Sequence, residues 1–382
     1  MKLAFLLRFW PYYGGGETVT RVLTSEFLKR GHEVHVLYWW RNDQNRTYRP
    51  KGHYIECCIP VHSSGGAIPS GDISWLTDKL RRYINENEID FVINQWWPAG
   101  ITPKGTKAKI IMCWHTFLFR NILYEGNIVK YIYQKLRLRK NATLKKYIDP
   151  YYLESDALIL LSRKYWEEFQ KYSSAYKNQK KVFYQYNQLS YDYIPQIEKV
   201  KKKKEVLFVG RIEEPTKRIS RILETWKIVN DRGINDWHLK IIGDGPDLEN
   251  LKMMSKGMHL YNISFLGSKD PRDDYITASI LLLTSAMEGW PITIVEGKNF
   301  GVVPLIMNTF SAAREIVNDG EDGVIVNSIS IKKYASRLID LMNDDGKRSF
   351  LSHNAIIDSK KYYVSRIVDS WMNLFAKISG GA

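Results

Sequence analysis

The stretch from Leu281 to Phe300 reads LLLTSAMEGWPITIVEGKNF, and its reading decides the fold. It continues an apolar, strand-like run from Ser279 to Thr284, after which a short polar turn runs from Ser285 to Gly289. Pro291 stands where a helix would begin, a position at which a missing N–H has no intrahelical partner to lose. Glu288 is therefore expected in the loop at the carboxyl end of a strand, and Glu296 about a turn and a half into the following helix. Open α/β sheets bind ligands beyond the carboxyl ends of their strands, so both carboxylates are expected to face one crevice. The N–H groups of Ile292 and Thr293 would point there and suit an anion.

Working outward, Val206 to Arg211 reads as another strand, followed by a loop to Lys217 and Arg218 at a helix start. Arg211 and Lys217 could clamp a diphosphate and stabilise a leaving group's growing charge, and both side chains are expected to face solvent. His238 to Ile242 is a strand running into the turn Gly243-Asp244-Gly245-Pro246, and Ile263 to Leu266 leads to the loop Gly267-Ser268-Lys269. Val302–Met307 and Gly323–Val326 read as strands, Ile331–Met342 as a helix, and Lys360 to Ile378 as one further helix carrying Trp371, Leu374 and Phe375 on a face. Toward the N-terminus, Gln196 to Glu205 is a lysine-rich linker. The chain opens with a buried strand at Lys2–Leu7, a break at Pro11 and Gly14-Gly15-Gly16, a helix from Glu17 to Arg30 capped by Gly31, and a strand from Glu33 to Trp40. Further strands are expected at Asp90–Asn94, at Lys109–Cys113 (which leads into Trp114-His115-Thr116) and at Ala157–Ser162, which a helix follows through Phe169, and Phe183–Asn187 ends the first domain. Alternating strands and helices of this kind imply an α/β protein with parallel sheets.

The pair Glu288 and Glu296, with Gly289 and Pro291 between them, resembles the E-x7-E motif of the retaining GT-B glycosyltransferases, glycosyltransferase family 4. The resemblance implies two Rossmann-like parallel-sheet domains facing a central cleft: 1–195 for the acceptor, 196–358 for the nucleotide sugar, and 359–382 as a helix crossing back to the first domain. It implies that Glu288 lies by the donor sugar and that Glu296 binds the ribose. GRIEEPTK is similar to the family's diphosphate-gripping element, matched by Arg211 and Lys217, and GGGE resembles its first loop, matched at Gly15 and Gly16. His115 would position the donor sugar and act in the transition state, giving His115, Glu288, Arg211 and Lys217 as the catalytic set. Lys269, Gly289, Trp290, Pro291, Ile292 and Thr293 would complete the donor site. Three residues depart from the pattern: Gln188 and Arg218 replace glycines, and Lys298 stands where a small or apolar residue is usual.

Composition narrows the partners. Three cysteines, with Cys57 and Cys58 adjacent and Cys113 alone, form neither a disulfide framework nor a zinc pattern. No stretch is long and apolar enough to cross a bilayer, and Arg8 interrupts the N-terminal apolar patch, so the expectation is a soluble, cytoplasmic protein. A formal net charge of +15 favours phosphate-bearing substrates, an anionic membrane surface or nucleic acid. No nucleic-acid motif accompanies the charge, and no nucleic-acid partner is expected. Ile128–Ile148 carries Lys130, Lys135, Arg137, Arg139, Lys140, Lys145 and Lys146 with no acid among them, and reads as a helix docking on anionic lipid at the inner face of the cell membrane. The expected activity is hexosyl transfer, with retention, from a UDP- or GDP-linked sugar to a glycan or lipid-linked acceptor in cell-surface polysaccharide assembly. No metal is expected to be required, since no Asp-x-Asp stands at a strand end and Asp273-Asp274 falls in a polar turn. A nucleotide-sugar epimerase or phosphorylase of the same fold is the other enzyme class left open.

Overall fold

A computed structural model describes residues 1–11, 15–41, 50–59, 74–95, 97, 103, 105–115, 129, 132–133, 149–172, 180–191 and 199–380. The chain separates into two units. The first holds the described residues up to Ser190 together with those from Val364 onward, and the second runs from Tyr191 to Tyr363.

The first unit is built on seven parallel strands: β1 (Lys2–Trp10), β2 (Glu33–Arg41), β3 (Ile55–Cys58), β4 (Phe91–Asn94), β5 (Lys109–Trp114), β6 (Ala157–Leu160) and β7 (Val182–Tyr184). Their order is β3-β2-β1-β4-β5-β6-β7. The strand β1 runs past the expected end at Leu7, because its ladder with β2 continues to the pair Trp10 and Arg41. Helices α1 (Gly15–Lys29), α2 (Ser74–Glu86) and α3 (Arg163–Tyr172) belong to this unit. Neither β3 nor α2 was expected from the sequence.

The second unit has six parallel strands: β8 (Glu205–Val209), β9 (His238–Ile242), β10 (Ile263–Phe265), β11 (Ile280–Leu283), β12 (Val303–Met307) and β13 (Val324–Val326). The order is β10-β9-β8-β11-β12-β13, the 3-2-1-4-5-6 arrangement of a doubly wound nucleotide-binding sheet. Its helices are α4 (Glu214–Lys217), α5 (Ile219–Asp231), α6 (Leu248–Gly257), α7 (Arg272–Thr277), α8 (Ile292–Asn299), α9 (Ala313–Ile316), α10 (Ile331–Asn343) and α11 (Asp345–Ser359). Every residue of β11 is buried, which is why the run reads as continuously apolar. Asp344 caps α11, its carboxylate accepting the Lys347 N–H at 2.8 Å.

The single helix expected from Lys360 to Ile378 is interrupted. A short 3-10 turn, Lys360–Tyr362, ends α11, and α12 (Val364–Ile378) begins afresh. The break has a packing cause. Tyr362 is fully buried in the second unit, its ring edge-on to Trp290 at 5.9 Å, whereas α12 packs in the first. Ile367, Val368, Trp371, Leu374 and Phe375 fall at helical spacing and enter the first unit's core, where Phe375 stacks on Phe91 at 4.3 Å. Arg30 of α1 holds the same helix through Asp369 at 2.6 Å. Among the described residues, no helix is long and apolar enough to cross a membrane.

Candidate active site

In the second sheet the strand order reverses between β8 and β11, so a crevice opens beyond their carboxyl ends. The loop after β8 carries Arg211 and runs into α4, which ends in Lys217, and the loop after β11 carries Glu288. The two sequence motifs therefore meet at the topological switch point of one sheet.

The loop after β8 is held by backbone contacts. Gly210 N–H donates to Ile242 at 3.0 Å, Ile212 N–H to Asp244 at 2.8 Å, and Gly243 N–H to Gly267 at 2.8 Å. A Cβ placed on Gly243 would lie 1.8 Å from the Gly210 carbonyl oxygen, so only glycine lets the turns after β8 and β9 lie this close. Arg211 leaves this frame exposed, and among the described residues it makes no hydrogen bond or ion pair. Lys217 ends the one-turn helix α4, which has Pro215 in its first turn.

Arg218 follows in the left-handed region, φ 52° and ψ 49°. This geometry explains why glycine is usual here: an L-residue in that conformation costs about 1–2 kcal/mol. The loop after β11 is fastened to the same turn. Ala286 N–H donates to Thr216 at 2.8 Å, Thr284 Oγ1 to the Arg218 carbonyl at 2.9 Å, and Arg221 Nη1 to the Thr284 carbonyl at 3.1 Å.

Glu288 is 7 % exposed, and its Oε1 accepts from both Lys217 Nζ and Ser285 Oγ at 2.6 Å. Lys217 is thus only partly exposed, at 24 %, where a solvent-facing side chain was expected, because its ammonium turns to neutralise the buried carboxylate. Ser285 is buried and was not singled out from sequence, and its carbonyl accepts from Thr309 Oγ1 at 2.5 Å. Pro291 is the N-cap of α8 and not its first residue, a displacement of one position. The N–H groups of Ile292 and Thr293 lie in the first turn, where no intrahelical acceptor reaches them. Glu296 is 6 % exposed, one turn into α8, with its Oε2 accepting from Tyr275 at 3.2 Å.

Other candidates have different surroundings. Trp290 is buried against Tyr362, so its ring belongs to the packing. Lys269 is paired with Asp274 at 2.7 Å, and Asp274 also meets Lys240 at 3.2 Å. Lys298 is wholly buried and ionically satisfied by Asp358 at 2.6 Å and Asp322 at 3.1 Å, and it also donates to the Ile316 carbonyl at 2.7 Å. This lysine ties α8 to the end of α9 and to α11.

In the first unit, Gly15 and Gly16 open α1, two residues before the expected start, and Gly15 is exposed. His115 directly follows β5. Its Nε2 is out of solvent, and burial pushes the imidazole pKa down to about 4, so the ring is neutral at physiological pH. Gln188, in place of a glycine, sends its side-chain amide to the Val19 carbonyl of α1 at 2.5 Å. Lys130, Lys135, Arg137, Arg139, Lys140, Lys145 and Lys146 lie outside the described residues. Among the described residues, no cluster of three or more histidine, cysteine or acidic side chains could hold a metal ion.

Comparison with known proteins agrees with this architecture. Residues 191–358 match the family model "Glycosyl transferases group 1", and residues 13–180 match "Glycosyltransferase Family 4". The chain therefore has the GT-B glycosyltransferase fold, with one glycosyltransferase domain matched in each half.

Among curated relatives, an amylovoran biosynthesis glycosyltransferase of Erwinia amylovora is 28 % identical over 176 residues, 46 % of this chain and 48 % of that protein. A poly(glycerol-phosphate) alpha-glucosyltransferase of Bacillus subtilis is 22 % identical across 94 % of this chain and 56 % of its own length. The chain spans about half the length of the curated relatives it matches. Two solved structures share the fold at low identity. TarM of S. aureus, in a complex that includes UDP, superposes with a TM-score of 0.76 at 12 % identity over 98 % of this chain and 99 % of its own. HepE of Anabaena, in complex with UDP and glucose, gives 0.71 at 14 % identity over 99 % and 100 %.

Proposed function

We propose that this protein is a retaining glycosyltransferase, moving a hexosyl group from a nucleotide sugar to a glycan or lipid-linked acceptor in cell-surface polysaccharide assembly. The observation that carries the reading is the Lys217–Glu288 pair at the switch point of the second sheet, with exposed Arg211 in the loop that leads into the helix ending in Lys217. A diphosphate entering there would meet two cations and the open N–H groups of α8, which together would stabilise the leaving group without a proton transfer. On this reading Glu288 contacts the reacting sugar and Glu296 the ribose. Neutral His115 would offer a hydrogen bond to the donor sugar. The UDP complexes of TarM and HepE support a uridine nucleotide, and a guanine nucleotide is the other candidate. No metal is assigned to the reaction.

The lipid-linked part of the proposal rests on the basic stretch 128–148 and on its described residues. Val129, Ile132 and Tyr133 are helical and are 73 %, 50 % and 63 % exposed, apolar side chains three and four positions apart on one face. Such a face, in a sequence stretch that carries seven cations and no acid, suits docking on anionic lipid at the inner face of the cell membrane.

The test is a panel of UDP- and GDP-linked hexoses, followed by NMR for donor loss and for the anomeric configuration of the product, with and without EDTA. One donor consumed, retention at the anomeric carbon and no effect of chelation are expected. No consumption of any donor would end the transferase reading. An inverted product would end the retaining one.

A further inference from the structure

Tyr275 is a fully buried side chain of α7 whose phenol donates to Glu296 Oε2 at 3.2 Å across 21 residues of sequence. The ring is held on several sides. Phe300 stacks on it at 5.6 Å with 16° between planes, and Tyr191 meets Tyr275 and Phe300 nearly edge-on at 6.5 and 5.7 Å. The backbone beneath is clamped as well. Lys202 Nζ donates to the carbonyls of Tyr275, Ile276 and Phe300 at 3.1, 2.9 and 2.5 Å, joining the end of α7 to the end of α8. Tyr191 is itself fixed through its hydroxyl to Asp270 at 2.9 Å and by Arg272 over its ring at 4.7 Å. A phenol on an immobilised ring has one rotor, so its donor direction is set by the packing around it.

A carboxylate at the end of a glutamate side chain turns readily about its last bond, which is a broad torsion. A donor locked onto one oxygen removes that freedom. We propose that Tyr275 is a positioning residue that fixes the plane of the Glu296 carboxylate, so that it recognises the paired 2′ and 3′ hydroxyls of a nucleotide's ribose. This rests on the assignment of Glu296 to the ribose made above. Tyr275 then contributes ribose selectivity without touching the nucleotide. Lys202 and Phe300 serve to keep the phenol where Glu296 needs it.

The experiment measures binding of UDP, GDP and their 2′-deoxy counterparts to the full chain by calorimetry, and follows the nucleotide bound more tightly. The native protein should prefer the ribose form. Tyr275→Phe keeps the stacked ring and should bind that form about tenfold more weakly, with a smaller loss for the deoxy form, so that the preference shrinks. Glu296→Gln should abolish the preference. Tyr191→Phe, which keeps its ring against Tyr275 and Phe300 and loses only the hydroxyl bond to Asp270, should leave it unchanged. If Tyr275→Phe weakens both forms equally, or neither, Tyr275 is packing only and the proposal is overturned while Glu296 keeps its role. If Glu296→Gln keeps the native preference, the ribose assignment falls, and this inference falls with it.

Discussion

Arg211 and Lys217 differ in what they touch before any donor arrives, and that difference separates their mutants. Arg211 is exposed without a partner among the described residues, whereas Lys217 neutralises a carboxylate that is 7 % exposed. Either change to alanine should lower turnover about a hundredfold or more. Only Lys217→Ala should also lower the unfolding free energy, because it strands a buried charge. Urea melts beside steady-state rates check both halves of this statement. Full activity in both variants would remove the diphosphate assignment.

The two glutamates should separate by kinetic parameter. Glu296→Gln mainly raises KM, since a ribose contact is similar in ground and transition states, and Glu288→Gln mainly lowers kcat. Equal, purely KM effects would show the roles to be wrongly divided.

His115 gives a pH signature of stability. Its folded pKa of about 4 lies below the unfolded value near 6.5. The unfolded state therefore binds the proton first as pH falls. The histidine's contribution is intact above pH 6.5 and is lost progressively between 6.5 and 4. Native protein should lose stability over that window more steeply than His115→Gln, and parallel profiles would refute the burial argument.

At the scale of elements, the loops beyond β8, β9 and β11 are the machinery, and their tolerance is set by backbone geometry. Gly243→Ala would drive a methyl group into the Gly210 carbonyl, and a backbone cannot yield as a side chain can. A loss of about 3 kcal/mol or more is expected, with donor binding failing alongside. Arg218→Gly should leave stability unchanged or raise it by up to about 1 kcal/mol, as relief of the left-handed conformation is partly offset by glycine's greater unfolded-state entropy. Thermal melts of the two variants should therefore move apart.

The elements also show where sequence reading ends. Strands such as β8 and β11 were legible because two-sided burial writes an uninterrupted apolar run, and Glu288 and Lys217 because a motif marked the loops that follow. Ser285 and Tyr275 were not legible, since a serine in a turn and a tyrosine in a short helix look ordinary until the fold brings a carboxylate beside them. The positive φ at Arg218 left no trace beyond a missing glycine. Lys298 read as a misfit because its partner Asp358 lies 60 residues away. The weakly patterned stretch between Arg41 and Asn94 hid β3 and α2 for a related reason: β3 is a sheet edge whose residues are half-buried or exposed, so it writes no apolar run.

At the scale of the whole molecule, the acid-free stretch 128–148 concentrates part of a formal charge of +15, and the proposed membrane docking turns that into a test. Binding to vesicles should require anionic lipid and fall steeply with salt, since exposed charges are screened within roughly 8 Å at physiological ionic strength. Changing Arg137, Arg139 and Lys140 together to glutamate should abolish co-sedimentation while leaving donor hydrolysis in free solution nearly intact. If the triple variant still sediments with anionic vesicles, the membrane role of this stretch is withdrawn.

The helix α12 completes the first unit's core from the far end of the described chain. Phe375 and Trp371 fill a core whose other walls run from Leu3 to Ile159, Phe27 and Phe91 among them. On the ribosome, the first unit is therefore expected to keep part of its apolar core uncovered until Val364–Ile378 has been made, after all of Tyr191–Tyr363. A gene cut after Ser190 would yield an aggregating fragment. A peptide of residues 364–382 supplied in trans is the reagent most apt to rescue it.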